Sequence, residues 1–486
     1  MVGLAMGLVR TKLAAVLIGA TGVGLVANFM AIQGLVGTLA GLGIQASGVR
    51  DVARSYSADD NDEIGRTIVT LRRVCWITGM LGAAGIVTLS PWLSRLTFGT
   101  SDHQAEIAAL GLVILLGNIS GGQSAILQGS RRITELARVQ ITVTLLGTAL
   151  TGMSYAWLGI RGIVPALVVM AGVQLVLYWW TAKRVPVPLV AMTWRESIVV
   201  AGGMVRLGVV MMWTGLLSSA VSYATNTLIV HHDSVAAVGI YSAAYALSGM
   251  FVNFVLQAMG ADYYPRLAGV AHDREAMRRM VNEQTEIGLL LAVPGLLATL
   301  ALAPWIVRLF YSREFVPAVN LLQWFVLGCL GRVASWPLAY VMIALGRGKW
   351  YLLTETSVQA LYLGSLMVAL PSFGLEGVAV AFFLQCFVYV AVAHRAARIL
   401  IGASWSAECR WMLSGSMLLA ILVIIAARFL DPWESMLVGV PITLAAALVS
   451  IRGLAQRVGL DHPVVDRVMR VPGMRALCGS RPGGST

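Results

Sequence analysis

Three basic side chains, Arg10, Lys12 and Arg332, stand inside stretches otherwise apolar enough to cross a bilayer. An Arg or Lys at the centre of a membrane helix costs about 2.5–3.5 kcal/mol by insertion scales, so it is tolerated mainly where it faces a cavity. The chemistry on offer is anion binding, because a guanidinium forms paired, charge-assisted hydrogen bonds with phosphate-type oxygens. Arg50, at the end of the second apolar stretch, and Arg266, after the eighth, extend this candidate patch toward the cytoplasmic mouth. Simpler roles fit the same residues: snorkelling in a short helix for Arg10 and Lys12, and interfacial anchoring for Arg50 and Arg266.

Asp262 and Glu355 are the deepest acids, placed to pair with a cavity arginine, to bind a coupling proton, or to form an interfacial salt bridge. Glu283 and Glu286 lie in the run NEQTE, where they could hold a cytoplasmic gate or serve a helix N-terminus. Amides recur within apolar stretches, at Asn28, Gln33, Asn118, Gln123, Asn226, Asn253, Gln257 and Gln359. Their paired donors and acceptors suit sugar hydroxyls and equally suit contacts between helices. His231, His232 and Asp233 have no converging partner in sequence, so no metal site is expected. The five cysteines, Cys75, Cys329, Cys386, Cys409 and Cys478, show neither disulfide nor metal spacing. Without a Walker-type loop there is no sign of ATP hydrolysis, and no cofactor is implied.

These residues need elements to hold them, and composition says which. Hydrophobic residues make up 58% of the 486 and charged residues 12%, which no water-solvated globular surface could carry. The sequence predicts an all-α integral membrane protein, since segments such as 287–306 are apolar on every face rather than alternating as barrel strands do. Fourteen crossings are expected, at 2–20, 24–49, 74–97, 105–128, 134–158, 162–182, 205–230, 235–262, 286–310, 317–345, 350–371, 376–395, 410–429 and 435–451.

The net charge of +12 does not point to nucleic acid, because 27 of the 35 Lys and Arg fall in alternate, cytoplasmic segments when the N-terminus is placed inside. Both termini are then cytoplasmic. The basic tail after Arg452, with Arg467, Arg470, Arg475 and Arg481, reads as a solvated anchor near anionic lipid.

The chain also repeats itself. Val23-Gly24-Leu25 answers Val238-Gly239-Ile240 at an offset of 215, and PWLSRL at 91–96 answers PWIVRL at 304–309 at an offset of 213. Gly129 and Gly346 each precede basic residues, and 159–163 answers 374–378. Six crossings separate the copies, so they share orientation and are expected to enclose a cavity about an axis along the membrane normal. The expected organisation is two pseudo-symmetric six-helix lobes, 1–182 and 205–396, joined by a cytoplasmic linker at 183–204 and followed by two further helices and the tail at 397–486. Against the seventh helix the first is short by about six residues and carries Arg10 and Lys12 well inside it, so a native first helix beginning upstream of Met1 is expected.

The runs TKLAAVLIGATGVGLVANF at 11–29, ADYYPRL at 261–267, NEQTEIGLLLAVPG at 282–295 and LGRGKWYLLTE at 345–355 resemble the bacterial polysaccharide flippases, the O-antigen translocases. These belong to the multidrug, oligosaccharidyl-lipid and polysaccharide exporter superfamily. The resemblance covers roughly residues 1–400, with Ala20 standing where the family usually has proline. It implies a two-lobe inner-membrane transporter, not an enzyme, that moves an undecaprenyl-diphosphate-linked oligosaccharide from the cytoplasmic to the periplasmic leaflet by alternating access. The diphosphate would be the anion met by the basic patch, and a polysaccharide polymerase is a candidate partner. The alternatives are a lipid-linked peptidoglycan precursor or multidrug exporter of the same superfamily, and a membrane glycosyl polymerase, for which the exposed loops are too short.

Overall fold

A polar backbone in hydrocarbon must satisfy its own hydrogen bonds, and the described residues answer with helices alone. The computed structural model describes residues 2–58, 60–188 and 190–458. The basic tail and Cys478 lie outside them. In order the helices are α1 Val2–Leu17, α2 Gly19–Gly41, α3 Ile44–Ala58, α4 Asn61–Phe98, α5 Gln104–Gly129, α6 Ile133–Leu158, α7 Ile163–Ala182 and α8 Trp194–His232. Then follow α9 Val235–Gly269, α10 Arg274–Ala301, α11 Ala303–Phe310, α12 Ala318–Ala344, α13 Gly348–Phe373, α14 Glu376–Ile401, α15 Ala407–Phe429 and α16 Pro432–Val458.

Their ends follow local chemistry. Asp60 caps α4 by accepting from the N–H groups of Asp62 and Glu63, and Thr193 and Glu196 form a reciprocal capping box at α8. The 38 residues of α4 extend about 57 Å at 1.5 Å per residue, nearly twice the hydrocarbon thickness of about 30 Å, so its polar start stands clear of the lipid.

Eleven helical runs among the described residues are long and apolar enough to cross a membrane, or twelve if the two arms of α8, bent by 53°, count as one span. The sequence predicts fourteen crossings. The difference arises where α6 and α7 are joined through a short 3-10 turn at Gly159–Gly162 into one run, and where α1, with 16 residues, is too short to qualify. The predicted second crossing also divides. Leu42 (φ 47°) and Gly43 (φ 65°) turn left-handed, and the chain restarts as α3, whose mixed polarity is not that of a span.

The chain forms two compact units, the first comprising 1–242, 308–316 and 366–375, the second 243–307, 317–365 and 376–486. In the first, one cluster gathers Phe29, Ile32, Ile86, Leu110, Ile114, Tyr155 and Leu167, and another gathers Ile44, Ile68, Leu71, Ile126 and Tyr178. In the second, α12 is the most buried span, packed against α10 and α14. Lipid tails are as apolar as leucine, so helix association there depends on close backbone approach. Gly331 supplies it, lying against the backbone of Cys386.

Candidate functional site

Within the first unit, α2, α3, α4, α5 and α8 surround a hollow of about 670 Å³. From α2 it receives Gln33, Gly34, Gly37, Thr38 and Gly41, whose three- and four-residue spacing sets them on one face. From α5 come Gly117, Asn118, Gly121 and Gln128; from α3, Gln45; from α4, Cys75 and Thr78; and from α8, Met211, Met212 and Gly215.

Glycine makes the room. A Cβ added at Gly37 or Gly117 would have no heavy atom within 4 Å. Among the described residues no charged side chain lines the hollow, and its polar character comes from amides and hydroxyls. Thr38 is held by its own helix, its hydroxyl donating to the Gly34 carbonyl at 2.7 Å. Asn118 is different: its Nδ2 is buried with no hydrogen-bond partner. Such a wall, alternating amide donors and acceptors with adaptable methionine, suits a large, uncharged, hydroxyl-rich ligand.

Of the amides singled out from sequence, Gln33 and Asn118 meet here. Gln45, Gln128, Thr38 and Thr78 were not anticipated. The signal available for them was the glycine spacing of α2, which marks a face without side chains.

The sequence-predicted charges lie as follows. Arg10 is half-buried on α1, its Nη1 3.8 Å from the Met170 sulfur on α7. Lys12 donates from Nζ to the carbonyl oxygens of Arg308 at 3.1 Å and Tyr311 at 2.5 Å, capping the C-terminal end of α11. Close by, the Ala20 N–H donates to Glu314 Oε2 at 2.8 Å, placing a carboxylate at the positive end of α2 where Gly19 (φ 64°) breaks it from α1. Glu314 was not singled out from sequence. Arg50 is exposed on α3; burial raises the neighbouring Asp51 carboxyl above its ordinary range against the opposing pull of Arg50 and Arg54.

In the second unit Arg332 is half-buried on α12, near enough for its charge to act on Tyr245, Cys329 and Cys386. Arg266 and Asp262 form an exposed pair one turn apart at 3.0 Å. Glu355 accepts from the Tyr389 hydroxyl at 2.5 Å, and Gln359 accepts from Gln385 at 2.9 Å. Glu283 is exposed, whereas Glu286 is buried among α10, α15 and α16. Its Oε2 accepts from Arg457 Nη2 at 2.7 Å and Nε at 3.0 Å, and its Oε1 from the Ser406 hydroxyl at 2.8 Å. Among the described residues no group of three His, Cys, Asp or Glu could hold a metal ion. His231 instead lies with Nε2 2.7 Å from the Leu96 carbonyl oxygen.

Residues 14–320 match the family described as polysaccharide biosynthesis protein. The chain is 25% identical over 399 residues to the lipid III flippase of Escherichia coli (strain K12), covering 79% of this chain and 92% of that protein. It is equally similar to the lipid III flippase of Shigella flexneri. Among solved structures, the lipid II flippase MurJ in an inward closed conformation superposes with a TM-score of 0.73 over 94% of this chain and 97% of that one, at 14% identity. An inward-facing multidrug resistance MATE family transporter of the MOP superfamily superposes with a TM-score of 0.65 over 83% of this chain and 95% of that one, at 17% identity. At these identities the two structures speak for the fold.

Proposed function

The chain belongs to the polysaccharide biosynthesis protein family, and from that premise we propose that it is a flippase moving an undecaprenyl-diphosphate-linked oligosaccharide from the cytoplasmic to the periplasmic leaflet of the inner membrane by alternating access. The observation that carries this reading is the uncharged, amide-lined hollow of the first unit. A glycan crossing hydrocarbon must exchange its water for other hydrogen-bond partners, since each unpartnered polar group costs several kcal/mol. Gln33, Gln45, Asn118 and Gln128 offer those partners without a fixed charge that would hold the sugar too tightly for release. The carrier chain remains in the bilayer while only the head group crosses.

Arg10 in the first unit and Arg332 in the second are the cationic candidates for the diphosphate. Lys12 enters this reading as a fastening for α11, given its two carbonyl partners. The termini are assigned to the cytoplasm by the distribution of basic residues, and a polysaccharide polymerase would be the natural recipient of the product. Work here is translocation, with no bond made or broken, so the protein is read as a transporter and not an enzyme.

A lipid-linked peptidoglycan precursor is the second substrate to test, since the lipid II flippase shares this fold over nearly the whole chain. The test is flux in vesicles reconstituted with the full protein and loaded with fluorescent undecaprenyl-diphosphate-linked oligosaccharide or with a lipid-linked peptidoglycan precursor. Faster transport of the first supports the main reading, faster transport of the second supports the alternative, and transport of neither refutes both.

A further inference from the structure

A second concavity, of about 300 Å³, shares no lining residue with the hollow. Its floor is α5, with Ile119 and Gln123, and its walls are α4, with Arg72 and Trp76, and α7, with Val176 and Trp179. Because α4 and α7 pack chiefly through α5, a groove remains between them along the outer surface of the unit. Trp76, Val176 and Trp179 are all exposed, the condition of side chains that meet lipid.

This apolar groove contains two polar groups without partners. Arg72 Nε and Gln123 Oε1 are both buried and both lack a hydrogen bond, although the Gln123 residue is only 4% exposed. Among the described residues no acid lines the groove to neutralise Arg72. An orphaned donor and an orphaned acceptor in such a setting each cost about 1–3 kcal/mol unless something occupies the site. The groove also lies near one end of the helices: Arg72 is in the first third of α4, while Gln123 and Trp179 are in the last two turns of α5 and α7. At that end Lys183 sits over the Trp179 ring at 3.7 Å and Arg184 over Trp180 at 4.1 Å, a tryptophan and cation rim typical of a headgroup interface.

We propose that this groove is a binding site for an anionic glycerophospholipid with a hydroxylated headgroup. The phosphodiester accepts from Arg72, a headgroup hydroxyl donates to Gln123 Oε1, and one acyl chain lies along Trp76 and Val176. Donor, acceptor and apolar wall each find a match in one such molecule. Phosphatidylcholine lacks the hydroxyl donor and carries no net charge, and inorganic phosphate has no chain for the wall.

The test uses the full-length protein, purified in detergent and depleted of lipid, with native mass spectrometry of adducts formed with dioleoylphosphatidylglycerol, dioleoylphosphatidylcholine or sodium phosphate. Phosphatidylglycerol is expected to be retained about tenfold better than phosphatidylcholine; Gln123→Leu is expected to remove about that preference, the factor of one hydrogen bond, and Arg72→Gln to weaken both lipids, since both carry the phosphodiester. Val176→Trp, at a position 60% exposed and therefore tolerant of bulk, is expected to block the groove and reduce phosphatidylglycerol adducts to the phosphatidylcholine level. Should Arg72→Gln fail to fold, judged by its melting temperature, the Val176 variant decides. Equal retention of the two lipids, retention unchanged in the folded variants, or occupancy by phosphate alone each overturns the proposal. So does displacement of phosphatidylglycerol by an equal concentration of undecaprenyl phosphate, which would make the groove a carrier site.

Discussion

Gly24 on α2 and Gly239 on α9 lie backbone to backbone, and neither has room for a side chain. A Cβ on Gly24 would run into the Val235 carbonyl and come within 3.1 Å of the Gly239 nitrogen; one on Gly239 would run into the Ala20 carbonyl and come within 3.0 Å of the Gly24 nitrogen. The contact is reciprocal, and the two positions are those that the 215-residue offset pairs in sequence. Gly24→Ala or Gly239→Ala is expected to force the helices apart and cost about 2 kcal/mol or more, seen as a lowered melting temperature in detergent. Gly34→Ala serves as a control, since its Cβ would meet only the Ser219 hydroxyl at 3.7 Å.

Gly37 faces open space in the hollow, so size and stability can be separated there. Gly37→Ala should raise stability by about 0.5–1 kcal/mol, the usual gain in a helix interior, and leave transport near normal. Gly37→Phe should fold but transport at least about tenfold more slowly, because its ring occupies glycan space. Vesicle flux measured beside melting temperature distinguishes this from general damage; normal flux in Gly37→Phe would remove the hollow from the pathway.

Much of this arrangement was legible in the sequence. The helices follow the predicted apolar stretches in order because bilayer thickness sets their length, and the amides Gln33 and Asn118 stood out as polar residues in apolar runs. The left-handed break at Leu42 and Gly43 did not, because leucine carries no turn signal there. Its cause is tertiary: a Cβ at Gly43 would strike the Gly208 carbonyl of α8, and one at Gly208 the Leu42 carbonyl, so the chain bends where two backbones meet. Lys12 had the composition of an anion ligand, yet the carbonyls it binds belong to residues 296 and 299 positions away, beyond the reach of local pattern. Gln45 and Gln128 sit beside helix ends, where amides are ordinary, and only assembly gives them a shared wall.

Glu286 and Arg457 fasten α16 to α10, with Arg457 Nη2 also 2.7 Å from Glu408. Removing Glu286 takes away the buried half of the pair and leaves Arg457, 26% exposed, with Glu408 alone. Glu286→Gln is expected to cost about 1.5–3 kcal/mol, the range for a hydrogen bond to a charged group, and Glu286→Leu combined with Arg457→Leu to recover most of it. Thermal unfolding of the single and double variants measures the coupling, and strictly additive losses would contradict it.

Asp273 caps α10, accepting from the N–H groups of Ala276 and Glu275. The Ala276 N–H foremost, and then the other neighbours, hold its carboxyl below the usual value of 3.8. A lowered folded-state value means the cap is fully stabilising above 3.8 and is lost as the pH falls below that value through the lowered one. Hydrogen-exchange protection at residues 274–277, taken relative to the intrinsic rate at each pH, should therefore fall on acidification in the wild type and stay flat in Asp273→Asn, whose amide oxygen caps at every pH. An unchanged acid response in the variant would assign it elsewhere.

The loop at 308–316 belongs to the first unit although the chain reaches it only after most of α9 and all of α10. Ala20 and Lys12 therefore wait for Glu314, Arg308 and Tyr311 through nearly 300 residues of synthesis, about 15–60 s at ribosomal rates. During that interval the joint between α1 and α2 has none of its three fastenings. A chain stopped before residue 308 keeps the packing of α1 on α6 and of α2 on α8 but lacks all three hydrogen bonds at this joint.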